Sequence, residues 1–383
     1  VVAPPAGAHW LAALLAAAPD ASAPAPTTRD DAAFWLYTSG STGAPKGAIH
    51  LHASLAQTAV LYGRGILGLG PDDVVYSAAK LSFAYGLGNS LSLPLYAGAT
   101  AVLRAGKPTP AAVMQVLARE KPTLFFGVPT LFGAILAAPA LADAPGSPAL
   151  RFSISAGEAL PRHLGEGWRA RFGTDILDGI GSTEMLHIFL SNRPSAVRYG
   201  TTGQPVPGYQ LQLVGDDDVP SAAACSDAVA AEGALWVRGP SACSGYFGQR
   251  ERSLATFHGP WTRTGDRYAR DADGYYTYCG RTDDMLKVGG FWVSPFEVES
   301  ALAAHEAVLE AAVVAQVDDD QLVKPKAYVV LKQHEHASAK LGAALQAFIK
   351  SRLAPYKYPR WIEFVAELPK TSTGKTQRFK LRG

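Results

Sequence analysis

The sharpest chemical signal in the sequence is the run Tyr37-Thr38-Ser39-Gly40-Ser41-Thr42-Gly43-Ala44-Pro45-Lys46-Gly47. Every residue from Thr38 to Pro45 is Ser, Thr, Gly, Ala or Pro, which keeps the backbone close and accessible. Backbone N–H groups in such a loop can surround phosphate oxygens, while the hydroxyls and Lys46 add donors and charge. The spacing is not that of a Walker A loop. After Gly40 the second glycine of that pattern falls on Pro45, and Gly47 rather than Ser or Thr follows Lys46. The competing reading, a Ser/Gly-rich surface loop, fits poorly with a strand before the run and a lysine after it. Two more lysines stand among small residues near the end of the chain. Thr371-Ser372-Thr373-Gly374-Lys375 is a loop able to fold over a site, and Lys287-Val288-Gly289-Gly290 lets backbone pass close to a narrow ligand.

These loops need elements to hold them. From about 33 to 190, strand-like and helix-like segments alternate: Ala33 to Tyr37, Val74 to Ala78, Thr123 to Gly127, Arg151 to Ser155 and Asp175 to Ile180 read as strands. Ser54 to Leu67 and Thr109 to Glu120 read as helices, the second with a Thr cap. Such alternation predicts parallel βα units whose ligands sit beyond the carboxyl ends of the strands. Residues 200–282 change character, with short strands at Tyr209 to Val214, Leu235 to Arg238 and Tyr275 to Cys279, and predict a β-rich subdomain. From 283 to 383 a hairpin-like segment precedes a helix (Pro295 to Ala304), two strands (Val308 to Val314, Lys326 to Leu331), a helix (Leu341 to Leu353) and a strand (Arg360 to Phe364). The expected organisation is thus α/β: a large domain over 1–282, divided at about 200 into βα and β-rich parts, and a small α+β domain over 283–383.

Composition excludes several classes. A net charge of +2 with scattered Lys and Arg gives no footprint for nucleic acid. Cys225, Cys243 and Cys279 are odd in number and lack metal-ligand spacing, so neither a disulfide framework nor a zinc site is suggested and a reducing cytoplasm is the simplest setting. No apolar run is long enough to span a bilayer, and Leu11 to Ala18 lacks the basic flank of a signal peptide. Residues 19–31 read as a linker or exposed loop.

The Tyr37 to Gly47 run resembles the phosphate loop of the adenylate-forming superfamily, which includes acyl-CoA synthetases, peptide-synthetase adenylation domains and luciferases. Five more segments match that family in order over nearly the whole chain: Ser155-Ala-Gly-Glu-Ala159, Gly179-Ile-Gly-Ser-Thr-Glu184, Thr264-Gly-Asp266, Gly280-Arg-Thr-Asp283 and Pro369 to Lys375. The resemblance implies ATP-dependent activation of a carboxylic acid as an acyl-adenylate, then transfer of the acyl group to a thiol. By the same resemblance, Thr38, Ser39, Gly40, Ser41, Thr42, Gly43, Lys46, Gly157, Glu158, Asp178, Gly179, Asp266 and Arg281 hold the nucleotide. Lys375, Thr183 and Glu184 act at the phosphate, and Glu184 suits Mg²⁺, a hard cation that shares oxygen ligands with phosphate. Asp266 as an acceptor suits two ribose hydroxyls, and Arg281 offers a fixed fork of donors. Lys370 is read as peripheral. Asp283 is the implied hinge of a mobile small domain, one face of which brings Lys375 while the other brings Lys287, Gly289 and Gly290 to coenzyme A. The family also implies a larger segment ahead of the phosphate loop than the 36 residues before Tyr37, completing one of the sheets.

For the acid, Phe83 to Gly88, Gly181 to Phe189 and Leu353 to Glu363 resemble the versions found in benzoate–CoA ligases. That resemblance implies a flat pocket for one aromatic ring, built from Ala84, Tyr85, Ala156, Gly157, Gly181, His187 and Ile188, although Tyr85 and His187 also fit as satisfied core residues. No acid stands in Phe83 to Gly88 to meet a substrate ammonium, which counts against amino acids. The expected partners are benzoate or a close analogue, ATP and CoA, with a homodimer left open. Three alternatives remain: 4-hydroxybenzoate or 2-aminobenzoate as the acid, a carrier protein as acceptor, and nucleotide binding without turnover.

Overall fold

The computed structural model describes residues 11–18, 23–39, 45–215, 231–289, 291–320, 322–332, 337–370 and 376–382. A short helix α1 (Leu11–Ala17) precedes the strands β1 (Ala32–Ser39) and β2 (Pro45–Leu51). These two pair antiparallel, with Thr38 opposite Lys46 and Tyr37 opposite Gly47. The phosphate loop therefore joins the arms of a separate two-stranded hairpin. That corrects the expectation of a parallel βα unit at Ala33 to Tyr37. The physical reason is local: a Cβ on Gly47 would stand 2.9 Å from the Tyr37 ring, so only glycine lets the second arm fold back beneath it.

The predicted helix at Ser54 to Leu67 is α2 (His52–Thr58) running into a π-helical turn over Ala59–Arg64. Then comes the sheet that organises the molecule. Strands β3 (Val74–Ser77), β4 (Thr100–Val102), β5 (Leu124–Gly127), β6 (Phe152–Ser155) and β7 (Ile176–Gly181) are parallel in the order β4-β3-β5-β6-β7. Two antiparallel strands, β8 (Ile188–Ser191) and β9 (Gln204–Pro205), extend it past β7. The crossovers carry α3 (Ala84–Leu87), α4 (Leu93–Ala97), α5 (Pro110–Glu120), α6 (Pro129–Ala137) and α7 (Arg162–Phe172). Thr109 caps α5 by accepting from the Ala112 N–H, as its sequence predicts.

Both faces of the sheet are covered, so β5 and β6 are buried at every residue, the serines of β6 included. Along β5, Leu124 and Phe126 enter one core with Leu177 and Ile188, while Phe125 enters the other with Phe132 and Trp168. A polar staple pins one end of the parallel strands. Asp73 accepts from Arg151 at 2.8 and 2.9 Å and from the Thr123 hydroxyl at 2.7 Å, joining the residues that precede β3, β5 and β6. With the amino ends tied in this way, the loops beyond the carboxyl ends are left to build a site.

The β-rich part contains β10 (Gln210–Val214), β11 (Ala231–Arg238), α8 (Arg250–Thr256), β12 (Phe257–His258), β13 (Trp261–Arg270) and β14 (Tyr276–Arg281). All its pairings are antiparallel. The last part opens with the hairpin β15 (Leu286–Val288) and β16 (Phe291–Val293), followed by α9 (Pro295–Ala303). Next are β17 (Val308–Val317), β18 (Val323–Leu331), α10 (Ala339–Lys350) and β19 (Trp361–Phe364), with β18 between the other two strands. A core of its own, including Val298, Leu302, Val313, Val329, Leu345 and Ile349, holds this α+β unit together.

Candidate active site

Three of the predicted site segments follow carboxyl ends of parallel strands: Phe83 to Gly88 after β3, Ala156 and Gly157 after β6, and Ser182 to His187 after β7. The last of these turns sharply. Leu186 has φ +65, a left-handed conformation costing a non-glycine residue about 1–2 kcal/mol. Its surroundings hold it there: Cys243 N–H donates to the Glu184 carbonyl at 2.8 Å and the Ser241 hydroxyl to the Met185 carbonyl at 2.7 Å. His50 Nε2 donates to the Thr183 carbonyl at 2.8 Å. The consequence is that Glu184 and His187, three residues apart, serve two different neighbourhoods.

Glu184 meets the phosphate-loop hairpin. Its Oε1 accepts from Lys46 Nζ at 3.2 Å and from the Tyr246 hydroxyl at 2.6 Å, and Lys46 also donates to the Tyr246 oxygen at 2.8 Å. Burial opposes ionisation of Glu184, but the Lys46 charge and the Tyr246 hydrogen bond outweigh it and hold the carboxyl below its ordinary range. Main-chain bonds fix the arrangement, since Ile49 N–H donates to the Gly245 carbonyl and Phe247 N–H to the Gly47 carbonyl. Tyr246 and His50 were not among the residues expected from sequence. Each acts on a partner far along the chain, and no local pattern signals that.

A second group lies on the β13–β14 pair, where Asp266 and Arg281 are directly opposite. Arg281 donates to the Thr264 carbonyl at 3.1 Å, to Asp266 at 3.4 Å and to Asp283 at 3.1 Å. Gly265 is required between them: its φ is +76, and a Cβ would stand 2.6 Å from the guanidinium. Gly157, also left-handed at φ +96, is exposed beside the half-buried Glu158.

His187 faces the other way. Its Nε2 lies 2.9 Å from Asn89 Oδ1, and its ring is 5.3 Å from that of Tyr62 and 6.0 Å from that of Tyr85. The Tyr85 hydroxyl donates to the Ile154 carbonyl at 3.2 Å. Ala156, His187 and Ile188 are buried, Ala84 and Gly181 partly so, and a Cβ on Gly88 would overlap the His187 ring. Asp178 is also a core group here, 4% exposed, and burial pushes its carboxyl well above the usual range. It is thus a buried residue of β7 itself. Gly179 beside it is buried against Ile188.

Burial alone lowers the His187 pKa from 6.5 to about 3, so the ring is neutral at ordinary pH. Because the folded value is the depressed one, its contribution to stability is whole above pH 6.5 and is lost as pH falls from there through about 3. A His187→Gln variant is expected to show a shallower loss of denaturation midpoint over that interval. Equal acid slopes for the two proteins would refute this.

The remaining predicted residues divide. Thr38 faces Lys46 across the hairpin and Ser39 pairs with Pro45, while Gly40, Ser41, Thr42 and Gly43 lie outside the described residues. Lys287 and Gly289 form one arm and the turn of the β15–β16 hairpin, and Gly290 lies outside the described residues, as does Lys375. Asp283 is exposed beside Arg281. Among the described residues no group of three His, Cys, Asp or Glu could hold a metal ion, and no helix is long and apolar enough to cross a membrane.

The hairpin with Lys46, the Glu184 carboxylate beside that lysine and the small α+β unit with its own core are the parts that any class assignment must account for. The comparisons supply that assignment. The AMP-binding enzyme family matches residues 4–247, and the AMP-binding enzyme C-terminal domain matches residues 297–375. The chain belongs to this adenylate-forming family. It is 59% identical over 384 aligned residues to a benzoate–CoA ligase of Thauera aromatica, covering 100% of this chain and 71% of that protein. With a 4-hydroxybenzoate–CoA/benzoate–CoA ligase of Rhodopseudomonas palustris it shares 52% identity over 99% of this chain and 69% of the other. Among solved structures, a benzoate CoA ligase from Burkholderia xenovorans LB400 superposes with a TM-score of 0.89 at 54% identity, covering 97% of this chain and 73% of that one.

Proposed function

We propose that this chain is an ATP-dependent benzoate–CoA ligase. A carboxylate is a poor electrophile, so its oxygen first attacks the α-phosphorus of ATP, and pyrophosphate leaves. The thiolate of CoA then attacks the carbonyl carbon of benzoyl-AMP, and AMP leaves. Both steps gather negative charge, so donors fixed in advance supply most of the catalysis. The observation that carries the reading is the Gly181 to Ile188 segment, which presents Glu184 to Lys46 and His187 to Tyr85 within one turn. On this reading one segment serves both the phosphate side and an aromatic, uncharged acid side. The 59% identity to the Thauera benzoate–CoA ligase, across this whole chain and 71% of that protein, supports the same substrate.

The other assignments follow from this reading. Lys46 and the Thr38 to Gly43 backbone take the phosphates, Thr183 the α-phosphate, and Asp266 with Arg281 the ribose side. Ala84, Tyr85, Ala156, Gly157, Gly181, His187 and Ile188 line the acid pocket. The donor set fits Mg²⁺: one ionised carboxylate, Glu184, beside the Thr183 hydroxyl suits a cation that completes its shell with nucleotide oxygens and water. When bound, that ion neutralises phosphate charge. Lys375 belongs to adenylation, and Lys287, Gly289 and Gly290 to the thioester step after rotation at Asp283.

One observation favours a broader acid range. If Nε2 of His187 carries the proton donated to Asn89, Nδ1 is a buried acceptor, and it has no partner among the described residues. A ring hydroxyl or amine could supply one, as in 4-hydroxybenzoate or 2-aminobenzoate. The test is pyrophosphate release over a panel of acids, with and without CoA. Benzoate turnover that needs CoA to release AMP supports the ligase. Adenylate formed without CoA use, and passed to a carrier protein, overturns the CoA step, and nucleotide binding without pyrophosphate overturns the whole reading.

A further inference from the structure

The geometry points to Tyr246 as the residue that positions Glu184 toward a divalent cation and tethers Lys46 beside it; this rests on the ligase reading above. Tyr246 is 62 residues beyond Glu184 and 200 beyond Lys46, yet its hydroxyl lies within hydrogen-bond distance of both. The proton arrangement is fixed by chemistry. A carboxylate only accepts and an ammonium only donates, so the hydroxyl must donate to Glu184 Oε1 and accept from Lys46. The same oxygen therefore commits one carboxylate atom and tethers the lysine. Below the hydroxyl, the Tyr246 ring lies 4.6 Å from Lys46 Nζ, adding a cation–π contact.

Tyr246 is rigidly held. It is 4% exposed, packs with Ala48 and Cys243, and sits in a bridge to Ala48 that ties its segment to β2. Its N–H donates to the Ser253 hydroxyl at 2.9 Å. A flexible lysine and a glutamate thus share one immobile partner. The Lys46 ammonium, 3.2 Å from Glu184, is its counter-charge. Glu184 would hold a divalent cation that neutralises phosphate charge, and Tyr246, bonded to its Oε1, would keep that carboxylate aimed. Groups standing behind a metal-binding carboxylate in this way typically change metal affinity about 10- to 100-fold when removed.

The experiment uses Tyr246→Phe in the full chain, with Mn²⁺ as a paramagnetic probe and a non-hydrolysable ATP analogue. Electron paramagnetic resonance of free Mn²⁺ gives the dissociation constant of the ion from the enzyme–nucleotide complex. That constant is expected to rise about tenfold or more in a variant that remains folded at the assay temperature. An unchanged constant in the folded variant overturns the proposal. If the wild-type protein does not bind the metal–nucleotide pair at all, the ligase reading fails instead. Should Tyr246→Phe fail to fold, 3-fluorotyrosine at position 246 gives a second readout. Its fluorine resonance is expected to shift when Mg²⁺ and the analogue are added together, and an unmoved resonance overturns the proposal.

Discussion

Replacing Lys375 by alanine is expected to abolish benzoate-dependent pyrophosphate release while leaving CoA thioester formation from supplied benzoyl-AMP largely intact. The first half-reaction draws charge onto the α-phosphate and the attacking carboxylate, and a lysine there acts mainly in the transition state. Loss of one such donor costs on the order of a hundred- to a thousandfold in rate. The second half-reaction starts from an adenylate that already has its leaving group, so it has no need of that lysine. The residues on either side of the segment that carries Lys375 are tied to each other. Lys370 and Thr376 form an antiparallel bridge, and Gln377 N–H donates to the Pro369 carbonyl at 2.7 Å. Lys370 itself is engaged by Glu310 at 2.7 Å, which leaves it as an anchor of the loop. Rapid-quench measurement of each half-reaction separates the outcomes. Equal loss of both steps would sink the two-face account of the small domain.

The second large effect is expected at Arg378, three residues beyond Lys375. Its guanidinium donates to both oxygens of Glu299, at 3.0 and 2.6 Å, and reaches Asp284 at 3.5 Å; Arg382 also meets Asp284. Glu299 is 8% exposed on α9 and accepts from the Val313 N–H of β17 at 2.7 Å. Arg378→Ala leaves that carboxylate buried without its counter-charge, a loss on the order of 3 kcal/mol. Hydrogen exchange of the β17 and β18 amides should accelerate about a hundredfold, because small-domain opening sets their protection. Arg378→Lys should recover only part, since an ammonium cannot span both oxygens. Acceleration of less than about threefold in Arg378→Ala would mean that Glu299 finds another partner or loses its charge.

How far each of these features is visible before folding depends on the range over which it is encoded. The adenylate-forming chemistry is written in contiguous runs, because a phosphate loop must supply neighbouring backbone donors and small side chains. The same holds for Thr109 at the start of α5 and for the apolar strands β3, β5, β6 and β7, whose signals are local propensity and burial on both faces. The antiparallel return of β2 was misread, since the run into the loop looks identical whether its strand enters a hairpin or a parallel sheet. The surroundings of Asp178 show the same dependence. Its motif is local, but its burial within β7 and its hydrogen bond with Thr202 come from packing that the motif does not contain.

What the sequence determined by itself, then, is the kind of chemistry: a phosphate loop, an acid at Glu184, and a small domain ending in a lysine loop. Only the tertiary structure decided how those parts are held. It set Tyr246 between Lys46 and Glu184, His50 against the Thr183 carbonyl, and Asn89 against His187. Each of these is a single side chain whose partner is far away in sequence. A hydrogen bond of about 3 Å between them depends on the packing of several elements at once, and no spacing rule along the chain expresses that.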